Sequence, residues 1–212
     1  MTTRLIRLAI VGAFAIMVAG VVSWYLNAGP GTGTGSDGPV PAPSFANVGG
    51  PFALTDQSGQ EVTDETYLGG YALIYFGYTY CPDVCPTELW KIVQALGQMP
   101  EEVAAQVTPI LITIDPERDT PDALAQYVAL FDPRLVGLTG TPEQIAEVAD
   151  EYNVYYARIE DDEDPTRYTM DHSVYTYLVG PDGAVRNVFT NGQTAEQIAE
   201  AVTAEVEGGG SV

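Results

Sequence analysis

Histidine occurs once in these 212 residues, as His172, and cysteine only twice, as Cys81 and Cys85. So small a set excludes a disulfide-rich scaffold and any centre built from several imidazoles. Basic residues are also scarce: 8 Lys and Arg stand against 29 Asp and Glu, a formal net charge of -21. A surface of that sign repels phosphate backbones, which removes nucleic acid from the partners to consider. Apolar residues make up 46% of the chain, too many for an acidic polypeptide that stays unfolded. The length suits one globular domain of roughly 150–180 residues with some chain to spare.

The charge is unevenly placed. Every acid lies at or after Asp37, Arg4 and Arg7 sit at the N-terminus, and Leu8 to Leu26 is an uninterrupted apolar run. As a helix the run spans roughly 28 Å, close to a bilayer core of about 30 Å. A cleaved signal peptide has a shorter apolar core and ends on small residues. Here the exit is Trp24-Tyr25-Leu26-Asn27-Ala28, an interfacial aromatic pair with no small-x-small site. The expectation is therefore an uncleaved single-pass anchor within residues 1–28, with the two arginines held in the cytoplasm. In a bacterium the acidic domain then faces the periplasm from the inner membrane, where cysteine pairs can oxidise.

Residues 29–44, rich in Gly, Pro and Thr, read as a flexible linker, and Gly208 to Val212 as a disordered tail. Between them, residues 45–207 alternate strand and helix. Ser58-Gly59 turns a hairpin, and Tyr71 to Phe76 and Val107 to Ile114 are continuous apolar runs suited to doubly buried strands. A helix is expected over Thr87 to Gly97. Thr120-Pro121, Thr141-Pro142-x-Gln144 and Thr194-x-x-Gln197 each mark a helix start. A short strand, Leu135 to Leu138, precedes the second of these, whose helix turns Ile145, Val148, Ala149 and Tyr152 to one face. Val174 to Val179 and Val185 to Phe189 flank the turn Pro181-Asp182-Gly183. The order implies an α/β, thioredoxin-like mixed sheet with flanking helices.

The chemistry is concentrated at Tyr80-Cys81-Pro82-Asp83-Val84-Cys85-Pro86, directly after a buried strand. Pro86 suits the first helical position, which puts Cys85 at the N-cap, where free N–H groups and the helix dipole favour a thiolate. Four residues apart in a closed turn, the two sulfurs can form a disulfide or a two-sulfur metal clip. A structural disulfide over so short a loop removes little denatured-state entropy, so stability alone is a poor reason for it. His172, between Asp171 and the next strand, is expected to begin a central strand and reach the same end of the sheet. Two thiolates and an imidazole make a soft, low-coordinate set that suits Cu(I).

Four motifs in order carry a resemblance: Phe76 to Pro86 (FGYTYCPDVCP), Thr113 to Pro121 (TIDPERDTP), Gly137 to Thr141 (GLTGT) and Asp171-His172-Ser173. Together they resemble the SCO1/SenC family over roughly Phe45 to Glu205. The resemblance implies a membrane-anchored, thioredoxin-fold copper protein, not a conventional enzyme, that helps assemble the copper A centre of cytochrome c oxidase subunit II. Its copper ligands, for Cu(I) or Cu(II), fall on Cys81, Cys85 and His172. Another copper chaperone is an expected donor. Where the family commonly has histidine before the first cysteine, this chain has Tyr80.

Asp115, at a strand end, and Asp171, beside the histidine, are candidates to orient the ligands through hydrogen bonds. The five acids from Glu160 to Asp164 read as a solvated loop, and Tyr71, Tyr75 and Tyr78 as core packing. A second function from another class is thiol–disulfide exchange by Cys81 and Cys85 that keeps the oxidase subunit cysteines reduced. A peroxiredoxin-like peroxidase is a weaker reading, because no Thr-x-x-Cys precedes a helix.

Overall fold

A computed structural model describes residues 17–18, 48–161, 164 and 167–209. The expected anchor and linker lie outside the described residues, apart from Met17 and Val18. Among the described residues no helix is long and apolar enough to cross a membrane. By internal contacts the chain divides into Met1–Pro43 and Ser44–Val212, and all the described strands belong to the second unit.

Among the described residues nine strands run in chain order: β1 (Ala53–Asp56), β2 (Glu61–Thr63), β3 (Tyr71–Gly77), β4 (Val107–Thr113), β5 (Val136–Thr139), β6 (Tyr156–Glu160), β7 (Tyr168–His172), β8 (Tyr175–Val179) and β9 (Val185–Thr190). Within the described residues 48–209 five α-helices accompany them: α1 (Val84–Gln98), the single turn α2 (Glu101–Ala104), α3 (Pro121–Val128), α4 (Pro142–Glu151) and α5 (Ala195–Gly209). Seven strands form one mixed sheet in the order β2-β1-β5-β4-β3-β8-β9, and β6 and β7 form a separate antiparallel pair. The expected mixed α/β arrangement is present.

Centrality follows from composition. All seven residues of β3 are buried, as the continuous apolar run requires of a strand covered on both faces. β3 pairs in parallel with β4, Tyr71 opposite Val107 and Gly77 opposite Thr113, and antiparallel with β8. The parallel pair needs a crossover, and α1 supplies it. Side chains alternate along β3: Tyr75 and Gly77 face α1, while Phe76 turns to the other face and meets Tyr152 just past α4, ring centroids 5.4 Å apart.

The helix starts hold as read. Thr120 accepts from the Ala123 N–H, Thr141 and Gln144 form a reciprocal capping box, and Thr194 and Gln197 pair in the same way. Gly59 and Gly183 take positive φ in the two hairpin turns. α5 continues to Gly209, two residues into the segment read as a tail, with the Tyr71 hydroxyl donating to the Glu205 carbonyl on its last turns.

Two readings require correction. α1 begins at Val84 with Asp83 as N-cap, so Cys85 stands inside the first turn rather than at the cap. His172 ends β7, opposite Tyr156 in the small hairpin, and does not begin a central strand; β8 starts three residues later, at Tyr175. Alternating polar residues in Tyr168–His172 hide a half-exposed strand behind the acidic stretch.

Candidate metal centre

The cluster is built from the C-terminal end of β3 outward. Gly77 ends the strand, and a Cβ there would lie 2.8 Å from Tyr75 Cε1 and 3.0 Å from Cys85 Sγ. No larger residue leaves the sulfur in place, a requirement that its position between a buried strand and the cysteine motif hints at without fixing. The chain then turns through Thr79, whose N–H and hydroxyl donate to Asp119 at 3.0 and 2.5 Å. Asp119 is fully buried and also accepts from the Thr113 hydroxyl at 2.6 Å. Burial pushes its carboxyl above the usual range against these hydrogen bonds. This clamp ties the cysteine loop to the end of β4. Sequence reasoning misses it, because Asp119 is one polar residue among several in TIDPERDTP.

Both cysteines are buried free thiols. The backbone N–H of Cys85 points to Cys81 Sγ at 3.4 Å. The Cys85 thiol donates to Cys81 and, against desolvation, holds its pKa far below the ordinary thiol value, with two backbone N–H groups and, whenever its Nε2 carries a proton, the His172 ring adding to the effect. The same bond, with burial, pushes the Cys85 thiol up. The acidic sulfur is therefore Cys81, held by backbone donors at the start of α1.

His172 is carried by a different element and reaches in from the side. Its Nε2 lies 3.5 Å from Cys85 Sγ, and its Nδ1 is 2.9 Å from the Ser173 carbonyl. With Nδ1–H donating to that carbonyl, the Nε2 lone pair faces the sulfurs, the tautomer a metal ligand needs. Tyr75 and Tyr78 meet the imidazole edge-on, centroids 6.2 and 6.0 Å away. The donor atoms of Cys81, Cys85 and His172 all lie within 4.8 Å of one another. A further approach of less than about 1 Å lets these donors surround one ion at bond lengths of about 2.0–2.3 Å.

Asp115 does not reach a ligand. Its carboxylate pairs with Arg118 and accepts from the Tyr168 hydroxyl at 2.8 Å. Arg118 stacks 3.6 Å from the centre of the Tyr168 ring and donates to the Tyr168 carbonyl, while Arg158 covers the same ring at 3.8 Å. Asp115 therefore anchors the hairpin that carries His172. Asp171 is exposed and, as the neighbour of His172 on a strand, points to the opposite face. Tyr80 is 64% exposed, its ring 4.7 Å from the Arg118 guanidinium. In the acidic stretch, Asp161 pairs with Arg167 at 3.1 Å; Asp162 and Glu163 lie outside the described residues.

The SCO1/SenC family description matches residues 41–207. The chain is 47% identical over 156 residues to the mitochondrial protein SCO1 homolog of Homo sapiens, covering 73% of this chain and 52% of that protein. It is 40% identical to the SCO2-like protein RP587 of Rickettsia prowazekii, over 72% of this chain and 74% of the relative. Thus the chain spans about half the length of the human relative. Among solved structures, Arabidopsis thaliana ScoI with copper bound superposes with a TM-score of 0.71 at 37% identity, over 76% of this chain and 99% of that one. Bradyrhizobium japonicum ScoI with copper bound gives 0.67 at 45% identity, over 73% and 97%. The match to the family over most of the chain, with relatives above 40% identity, places this chain in the SCO1/SenC family.

Proposed function

We propose that this chain is a membrane-anchored copper metallochaperone that holds copper through Cys81, Cys85 and His172 and helps assemble the copper A centre of cytochrome c oxidase subunit II. The observation that carries the reading is the approach of two sulfurs and one imidazole nitrogen to within 4.8 Å of one another. Such a donor set favours Cu(I), which two thiolates hold in linear coordination and which a third ligand closes. The copper-bound ScoI neighbours support the choice of metal. Transfer proceeds by ligand exchange: His172, on its own hairpin, leaves first, an acceptor ligand takes the open position, and the thiolates are displaced in turn. The apolar run Leu8 to Leu26 would anchor the domain on the periplasmic face of a bacterial inner membrane, where a second copper chaperone supplies the ion.

The test is titration of the full chain in detergent with copper in both oxidation states, beside complementation of oxidase assembly. One equivalent bound tightly, with Cys81→Ser and Cys85→Ser each abolishing binding and assembly, supports the reading. Full oxidase activity with His172→Ala, alongside failure of both cysteine variants, overturns three-ligand copper carriage.

The acidic Cys81 beside a protonated Cys85 favours a second reading, thiol–disulfide exchange. Cys81 thiolate attacks a partner disulfide and releases one partner thiolate; Cys85 then attacks Cys81, leaving a Cys81–Cys85 disulfide and a second reduced partner sulfur. That reaction does not require His172, so the histidine variant separates the two.

A further inference from the structure

Tyr75 reads in the sequence as core, and its ring is indeed fully buried. Its hydroxyl is the anomaly: it too is buried and forms no well-aligned hydrogen bond among the described residues, with the Cys85 thiol as its neighbour. Native interiors seldom leave such a group without a use. The position supplies one. Tyr75 Cε1 and Cys85 Sγ flank a single point, 2.8 and 3.0 Å from where a Gly77 Cβ would stand, and the same ring meets His172 edge-on at 73°. Tyr75 thus forms the inner wall of the cluster and touches two of its three donors.

We propose that Tyr75 is a positioning residue whose hydroxyl donates a hydrogen bond to the Cys85 sulfur when the cluster takes up a soft metal ion. The inference rests on the copper reading. A neutral thiol is a weak acceptor, and the phenol gains little from it. A metal-bound cysteine is a thiolate, and that charge is placed in an apolar wall where a fixed O–H donor is most effective. The unsatisfied hydroxyl is therefore the preorganised partner of a metal-bound Cys85 thiolate. Donors around a metal-bound sulfur also set its electronic energy.

Tyr75→Phe in the full chain separates this role from packing, because the ring remains. The variant is expected to keep or raise the thermal midpoint of the metal-free protein, since a buried polar group without a well-aligned hydrogen bond has been removed. Its Cu(I) affinity, measured by competition with a colorimetric chelator, falls about tenfold to a hundredfold, as for one hydrogen bond to a charged group. The Cu(II)–thiolate charge-transfer band moves to longer wavelength, which a purely structural role would not cause. Replacing Tyr75 by 3,5-difluorotyrosine, a stronger donor of nearly the same shape, moves the band the other way and stands in if Tyr75→Phe folds poorly. Tyr127→Phe, which removes the other buried hydroxyl without a well-aligned hydrogen bond among the described residues, leaves the band unmoved. Wild-type affinity and an unshifted band in both Tyr75 variants overturn the inference and leave the copper reading intact; a wild-type chain that binds no copper overturns both.

Discussion

The cysteines and the histidine of the cluster are held by opposite kinds of structure. Cys85 sits on α1 against β3, a strand without an exposed residue, and the loop before it is clamped by Asp119 to the end of β4. His172 closes a two-stranded hairpin outside the main sheet, whose β6 is largely exposed, and is held by aromatic and guanidinium stacking on Tyr168. The sulfurs belong to the core and the nitrogen to an appendage. Burial of apolar surface fixes the former, while a few polar contacts worth about 0.5–2 kcal/mol each fix the latter. One donor can therefore move without unfolding the rest.

Breaking the rigid side should have the largest effect. Cys85→Ser, or Cys81→Ser, is expected to weaken Cu(I) more than about a thousandfold, since a hydroxyl replaces a soft anion; chelator competition measures it. The next contrast is in pH. The Cys81 thiol is held below its ordinary value, so its thiolate is already present near neutrality and is lost only well below it. Alkylation of the metal-free protein should stay nearly flat between about pH 6 and pH 8. A free thiol of pKa near 8.5 would rise almost a hundredfold over that range, and such a rise would count against the clamped thiolate.

Gly77→Ala drives a methyl group to within 3.0 Å of the Cys85 sulfur. We expect about 1–3 kcal/mol of destabilisation in denaturant melts, with copper binding weakened in parallel. On the hairpin side, His172→Ala should cost Cu(I) only about tenfold, because two thiolates still bind it linearly, and Cu(II) far more. Smallest of all, Arg158→Gln removes the exposed ion pair with Glu117 and one stack on Tyr168. Global stability should change by no more than about 1 kcal/mol, while amide exchange across Tyr156–His172 quickens. Uniform acceleration in β3 as well would mean the hairpin is not an independent unit.

The same division explains what could be read in the sequence. β3 and β4 announce themselves as continuous apolar runs, and the Thr-Pro helix starts at Thr120 and Thr141 are local hydrogen-bond chemistry. Cys81 and Cys85 are rare residues at a strand-to-helix junction. The hairpin is invisible there because Tyr156–Glu160 and Tyr168–His172 are half exposed, with little apolar periodicity to mark them. Asp115 is legible as a residue at a strand end, but its partners, Arg118 and Tyr168, are fixed by tertiary packing. The two-residue advance of the α1 start, from Pro86 to Val84, reflects how weakly sequence marks a helix terminus.

His172 lies 87 residues along the chain from the sulfur it approaches. That interval contains β4, β5 and the whole hairpin, so bringing the third donor to the sulfurs requires the intervening chain to fold. A nascent or misfolded chain offers two neighbouring thiols and nothing more. Full coordination thus serves as a proof of completed folding: an ion that selects for three donors discriminates finished molecules from unfinished ones, and its occupancy stabilises only the former.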